Sequence, residues 1–513
     1  MSISNVMFLT IYSIFLVQSE CHNILAVFNI PSKSLHLAAV SMVEILAEKG
    51  HNVTLVTAYE CNEKQKNFTH VFLKDTAEVN EKTFSNYFHF DMNPYHILYT
   101  FEQLGIDNCR ATFNDSYFKK LISSEQKFDL LIVDIYLSPS LLYLSEYYDI
   151  PVILYTSMDS GYSTNPFLGN SAPPSYVPHV MNHYSSDMSF FQRLDNFLIT
   201  MVGELLLYLY SLSRHDEIVK SVFPEAPDIN EYSHKASVLL MNSDVAIAEA
   251  TPKTPGMVYI GGFHINENKP LPEDIKNIMD NAEDGVILFS LGSNIKSSHM
   301  PRSRVQEILQ VFSKLKQVVI WKWEDEDLPG KPPNVIVKKW LPQNEILAHK
   351  NIKLFITHGG QHSILETVFY GVPCVSLSVF MDQASNSFRA THLGFAEWIP
   401  YKEFTPERFE NAILKTLIDP RYTEMAKKRS KIMRDKPISP RETIAFWVDY
   451  VVNHKGANHL KVAALKLSWY QYLLLDVVAF VIICSFVLVY LIRSITKYMF
   501  SSFSKKKPKE KNH

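Results

Sequence analysis

The chain has 513 residues, 47% hydrophobic, 20% charged and 12% aromatic, too long for one core and too ordinary for a disordered or fibrous protein. Its 50 Lys and Arg against 53 Asp and Glu give a net charge of −3, and basic residues crowd into the last stretch, so the body is acidic and lacks the basic face of a nucleic-acid binder. Five cysteines without a CxxC pair exclude a disulfide-built or zinc-held scaffold.

Val6–Val17 is an apolar run too short to cross a bilayer, and Val17-Gln18-Ser19 behind it resembles a cleavage site, predicting a signal peptide over 1–19. A first domain is predicted over 20–250. It opens with a strand at Asn23–Phe28, an amphipathic helix at His36–Lys49 ended by Gly50-His51, and a strand at Asn52–Thr57. Cys61–Asn114 is aromatic and weakly periodic, and reads as long loops. A strand at Phe128–Asp134, a helix near Pro139–Tyr148 and a strand at Val152–Ser157 repeat the unit. Continuous apolar strands alternating with helices predict a parallel sheet covered on both faces. Phe197–Tyr210 is strongly apolar but broken by Gly203 and Glu204, and is read as a core or membrane-lying helix rather than a second span. Prolines at Thr251–Pro255 mark the linker.

The pattern restarts over 251–450. Strands are predicted at Val286–Ser290, Val318–Trp323, Val335–Trp340, Lys353–Thr357 and Val372–Leu377, with helices at Arg302–Lys314, after Gly360 and from Asp382. The fold class is therefore α/β, two doubly wound Rossmann-like domains with a ligand cleft outside the carboxyl ends of the strands. A return segment at 451–471 leads to Tyr472–Ile492, 21 residues with the single charge Asp476, enough to span about 30 Å of hydrocarbon. Trp469, Tyr470 and Tyr472 mark one interface and the basic tail 493–513 the other, which predicts a single-pass type I protein with a cytosolic tail. Lys509 and Lys511 match a dilysine signal for retrieval to the endoplasmic reticulum, the alternative being a polybasic stretch held by anionic lipid. Of three sequons, Asn67 and Asn114 are the glycosylation candidates, since Asn52 opens a strand.

The chemistry is concentrated at Trp340–Gln383. His358-Gly359-Gly360 is a tight turn between a buried strand and a helix, whose N-terminal amides suit a diphosphate. His358 and Ser363 add donors, and Glu366 on the same helix can accept from sugar hydroxyls.

With WLPQ upstream and DQ downstream, this segment resembles the signature of the UDP-glycosyltransferases, which include the animal UDP-glucuronosyltransferases. Trp340, Pro342, Gln343, His358, Gly359, Gly360, Ser363, Glu366, Pro373, Asp382 and Gln383 stand at the signature positions, and Phe289–Ser293, Met188–Asn196 and Trp469–Val477 are similar to further family segments. Ser378 stands where the family usually has proline. The resemblance implies the GT-B architecture and an inverting, metal-independent transfer without a cofactor, the UDP-sugar being a co-substrate. It implies that Trp340 stacks on uracil and Gln343 bonds its edge. Ser293, His358 and Ser363 would face the phosphates, Glu366 the ribose, and Asp382 with Gln383 the transferred sugar. It implies too that a histidine of the first domain, oriented by an aspartate, deprotonates the acceptor.

Asp134 occupies the aspartate position. An ungapped count back from Gly50-His51 places Leu35 at the base position, with His36 beside it. Either His36 serves as the base, or the usual base is lost and the chain is a non-catalytic homologue that binds UDP-sugar or a lipophile, or partners active relatives as an oligomer. Asp325-Glu326-Asp327 spells DxD but reads as a solvated turn rather than a metal site. The expected donor is UDP-glucose or UDP-glucuronic acid, the acceptor a small lipophilic hydroxyl compound, and the setting the endoplasmic-reticulum membrane with the body in the lumen. Pairing of Cys61 with Cys109 is left open.

Overall fold

The computed structural model describes residues 21–61, 66–77, 88, 93–267 and 269–504; the predicted signal peptide and the dilysine lie outside them. The described residues form two compact units divided after Lys461.

The first unit holds two parallel sheets. Strands β1 (Asn23–Phe28), β2 (Asn52–Thr57), β3 (Phe68–Phe72), β4 (Leu130–Asp134), β5 (Val152–Thr156), β6 (Val238–Met241) and β7 (Met257–Tyr259) lie in the order β3-β2-β1-β4-β5-β6-β7. Strands β8 (Val286–Ser290), β9 (Val318–Lys322), β10 (Val335–Lys338), β11 (Ile352–Thr357), β12 (Cys374–Ser378) and β13 (Ala396–Pro400) follow the same grammar, β10-β9-β8-β11-β12-β13. Each sheet winds outward from its first strand and then reverses, which opens a crevice at β1/β4 and another at β8/β11.

Alternation along each strand explains the layers. Leu25 and Val27 of β1 enter one core while Ile24, Ala26 and Phe28 enter the opposite one. Likewise Ile287 and Phe289 of β8 pack on one side of the second sheet and Val286 and Leu288 on the other. A strand buried on both faces leaves no polar position, which is why these segments read as unbroken apolar runs.

Three boundaries differ from expectation. Within Cys61–Asn114, expected to be loop, lie β3 and the 21-residue helix Pro94–Asn114, whose N-cap Asn93 accepts from Tyr95 N. Strand β7 pairs with β6, so the first sheet continues past the expected linker at Thr251–Pro255. Helix Pro440–Asn453, opened by a Ser439/Glu442 capping box, buries Ile444, Val448 and Val451 in the core beneath β1, so the chain returns to the first domain before it leaves the body.

The second unit contains the short helix Trp469–Tyr472 and the helix Leu475–Ser504. Leu474 adopts φ 55° and breaks the two apart, so the long helix starts later than the span expected at Tyr472. Within Leu475–Ser502, 28 residues long, the most apolar window of 18 residues has a mean hydropathy of 2.8 and is not buried, which fits a membrane anchor.

Candidate active site

The second sheet's crevice gathers the signature. Strand β11 delivers His358 to a turn in which Gly359 has φ 84°, and a Cβ there would meet Ser387 Oγ at 2.3 Å. Only glycine fits. The His358 ring sits between two other glycines: a Cβ at Gly292 would lie 2.5 Å from its Cε1, and one at Gly360 2.5 Å from its Nε2. Burial and the nearby charge of Lys322 push the His358 pKa down to about 4, so a neutral ring, able to donate one hydrogen bond, faces the turn at physiological pH. Helix Gln361–Tyr370 starts directly behind Gly360, with its N-terminal amides at the crevice. Ser293 is half-buried in the turn after β8, on the opposite lip.

One turn deeper, Glu366 is held from two sides. Gln343 Nε2 donates to Glu366 Oε2 at 2.5 Å and to Ser363 Oγ at 3.2 Å, while His264 Nε2 lies 3.2 Å from Glu366 Oε1. Gln343 therefore points its amide nitrogen at the carboxylate. Trp340 is half exposed, and Lys33 of the first domain places Nζ 4.1 Å from its ring centroid, a cation–π contact. Asp382 accepts from Asn386 Nδ2 at 2.6 Å, and burial raises its pKa. Gln383 Oε1 accepts from Val379 N and Phe380 N, which fixes the loop after β12 and leaves the amide nitrogen as the group able to face a ligand.

The pairing expected of His36 and Asp134 is not formed. His36 Nδ1 lies 3.0 Å from Thr57 Oγ1, whose hydroxyl also meets His70 Nε2 at 2.9 Å. Asp134 Oδ1 accepts from Tyr136 N at 3.1 Å, and Oδ2 has no hydrogen-bond partner among the described residues. Desolvation raises the Asp134 pKa to about 7. The reason is topological. Thr57 ends β2 and Asp134 ends β4, with β1 between them, a separation of two strand spacings or about 9–10 Å. Helix Lys33–Glu48 turns 100° per residue, so Leu35 and His36 cannot both face β4.

A family model described as UDP-glucoronosyl and UDP-glucosyl transferase matches residues 21–510. The chain belongs to this family. It is 34% identical to UDP-glycosyltransferase UGT5 of Dactylopius coccus, with 93% of this chain and 91% of that protein aligned. It is 32% identical to UDP-glucosyltransferase 2 of the same insect over 98% of each chain, and 29% identical to human UDP-glucuronosyltransferase 2B10 over 93% and 94%. The solved calicheamicin glycosyltransferase CalG4 superposes with a TM-score of 0.57 at 16% identity, covering 85% of this chain and 99% of that one, which places the two sheets in the GT-B fold.

Sequence reading of this UDP-glycosyltransferase missed four residues at the cleft. Lys33, Lys322 and His264 carry no family spacing signal. Asn294 is the fourth: it accepts from Lys33 N at 3.2 Å and donates to Ser32 Oγ at 2.9 Å, tying the two lips together. It directly follows Ser293, and that adjacency is the one signal available. The apolar cluster at the carboxyl ends of β1, β4 and β5 contains Phe101, Tyr136, Leu137 and Tyr162, with Ile30, Met158 and Met381 packed against it. Glu102 is buried beside it and accepts from Tyr162 Oη at 3.0 Å. Leu137 and Met381 both adopt left-handed backbone, φ 63° and 62°, where the cluster meets the loop after β12.

Other expectations resolve plainly. Asn67 and Asn114 are exposed, and so is Asn52, whose amide donates to Asn23 Oδ1. Cys109 is a free, fully buried thiol and is not joined to Cys61. In the DxD run Asp327 Oδ1 accepts from Leu328 N and Glu326 pairs with Lys339.

Proposed function

We propose that this glycosyltransferase moves glucose or glucuronic acid from its UDP donor to a hydroxyl of a small lipophilic acceptor, with inversion and without a metal. The observation that carries the reading is the convergence on one crevice of the glycine-flanked His358, a helix N-terminus and the doubly held Glu366. Uracil stacks on Trp340, displacing Lys33, and Gln343 turns its carbonyl oxygen to the base edge. The diphosphate takes hydrogen bonds from Ser293, His358, Ser363 and the amides after Gly360, with Lys322 adding charge beside them. Glu366 accepts from the ribose hydroxyls, and Asp382 with Gln383 Nε2 holds the hydroxyls of the hexose.

The acceptor lies in the apolar cluster around Tyr136 and Tyr162, which favours lipophilic compounds. His36 takes the proton of its hydroxyl. The oxygen then attacks the anomeric carbon from the face opposite the phosphate, the new C–O bond forms as the old one breaks, and UDP departs with the bonding pair. Developing negative charge on the phosphate meets preset amides and the neutral His358, and this stabilisation is the largest contribution to the rate. Thr57, rather than Asp134, orients the base. The protein resides in the endoplasmic-reticulum membrane through Leu475–Ser502, with its body in the lumen. Incubation of full-length protein with radiolabelled UDP-glucose or UDP-glucuronic acid and a panel of phenols tests the reading; a panel that yields no glycoside from either donor contradicts it.

A further inference from the structure

Lys33 opens helix Lys33–Glu48, a poor place for a cation, because a helix N-terminus carries partial positive charge and the first turn of this helix has no acidic residue. The second domain holds it there. Asn294 Oδ1 accepts from Lys33 N at 3.2 Å, and Asn294 Nδ2 donates to Ser32 Oγ at 2.9 Å. From this anchor the side chain crosses the cleft and sets Nζ 4.1 Å from the centroid of the half-exposed Trp340 ring. That is the layer a stacked base would fill.

A second ammonium stands beside the same ring. Lys322 Nζ lies 5.9 Å from the Trp340 centroid, but its charge is matched: it donates to Glu324 Oε1 at 2.6 Å, and Glu324 Oε2 accepts from Ser298 N at 3.1 Å. Lys33 has no such carboxylate partner among the described residues, and burial together with the charge of Lys322 lowers its pKa. The other carboxylates of the crevice are engaged elsewhere, Glu366 by Gln343 and His264 and Asp382 by Asn386. The N-terminus of helix Gln361–Tyr370 adds further positive potential at the crevice. Two lysines and two helix N-termini therefore meet around one exposed indole face. A ligand that joins a flat base to a phosphate chain satisfies both features at once.

Taking the crevice as the UDP site proposed above, on which this reading rests, we infer that Lys33 selects the donor: its ammonium and the uracil compete for the face of Trp340, and the ammonium yields to a base whose diphosphate it then pairs with. The four-carbon stem lets Nζ swing from the ring toward the phosphate side of the crevice, where the charge of Lys322 also reaches His358. A uracil compound without phosphate displaces the same cation and gives it no partner in return. The first domain thus contributes a determinant of donor choice, and from the helical turn that carries His36, three residues on and on the same face.

The test measures binding of radiolabelled UDP to detergent-solubilised full-length protein and its displacement by unlabelled uridine. Lys33→Ala should weaken UDP about tenfold and tighten uridine about threefold, moving the two ligands in opposite directions. Lys33→Arg should keep the wild-type preference for UDP over uridine, since a guanidinium both covers an indole and pairs with phosphate. A lysine that serves only to hold the fold would weaken both ligands alike on removal. That result, or a preference unchanged in Lys33→Ala, overturns the inference. His358→Ala separates the inference from the site beneath it. UDP binding that His358→Ala leaves intact contradicts the crevice as the UDP site and the inference with it, whereas sensitivity to His358→Ala with none to Lys33→Ala overturns the inference alone.

Discussion

His36 Nδ1 meets Thr57 Oγ1 at 3.0 Å, and the hydroxyl proton of Thr57 is directed to Tyr59 O at 3.1 Å. Thr57 Oγ1 is therefore an acceptor for His36 Nδ1–H and for His70 Nε2–H. That tautomer leaves the lone pair of His36 on Nε2, the atom a general base uses. A neutral hydroxyl supports an imidazolium less than a carboxylate would, so with His36 as the proposed base, acceptors with acidic hydroxyls should react fastest.

The proton path is tested by three substitutions. His36→Ala should lower turnover about 100- to 10,000-fold with UDP binding unchanged. Thr57→Val should lower kcat by about tenfold and steepen its dependence on acceptor pKa, because the ring loses its acceptor. Leu35→His added to His36→Ala returns an imidazole one residue earlier on helix Lys33–Glu48, at the base position of the ungapped count, and should restore part of the activity. Steady-state kinetics on a phenol series checks all three, and an active His36→Ala protein removes His36 from the mechanism.

Asp134 should behave unlike a catalytic partner. Its carboxyl titrates near 7 when folded and near 3.8 when exposed, so the unfolded chain ionises first and the folded state loses stability as pH rises between those values. Asp134→Asn should therefore raise the melting temperature more at pH 8 than at pH 4, and leave turnover within about threefold of wild type. A loss as large as that of His36→Ala would contradict the placement of Asp134 outside the proton path.

The donor site is tested at three positions. His358→Ala and Glu366→Ala each remove a group facing a charged or polyhydroxylic ligand, at a cost of about 1.5–3 kcal/mol, and should cut kcat/KM at least tenfold at normal expression. Gly359→Ala forces a side chain into a φ of 84° against Ser387 Oγ, and should weaken UDP binding and lower the melting temperature together. Calorimetric UDP titration and thermal unfolding separate these outcomes.

Both domains were legible in the sequence because a strand buried on both faces, such as Leu130–Asp134, writes an unbroken apolar run. Strand β3 was not, since Phe68–Phe72 lies at the sheet edge and is only partly buried. Helix Pro94–Asn114 buries Glu102, Asn108 and Thr112, which blur the apolar period. The signature of the family was readable because most of it lies within one short segment, Trp340–Gln383. The His36–Thr57 contact was not, because it joins a helix to a neighbouring strand and no local spacing encodes it.

Acid should destabilise the body through buried neutral histidines. His179 and His358 titrate near 4, and His215 and His362 near 3, all pushed down chiefly by burial from 6.5. Their contribution is complete above pH 6.5 and is lost as pH falls toward 4, each adding up to about 1.4 kcal/mol per pH unit. His215→Gln should flatten the fall in melting temperature between pH 6.5 and 4.5.

Topology is checked in cells. Lys509→Ala with Lys511→Ala should let part of the protein leave the endoplasmic reticulum, and the tail should be digested by protease in intact microsomes while the body is protected. An unchanged location contradicts retrieval, and a protected tail contradicts the type I orientation.

The most direct measurement is sugar transfer itself, with full-length protein in microsomes, radiolabelled UDP-glucose and UDP-glucuronic acid, and an acidic phenol as acceptor. The account predicts a β-glycoside formed from at least one donor, abolished by His358→Ala. UDP-sugar binding with no transfer from either donor to any phenol would contradict it.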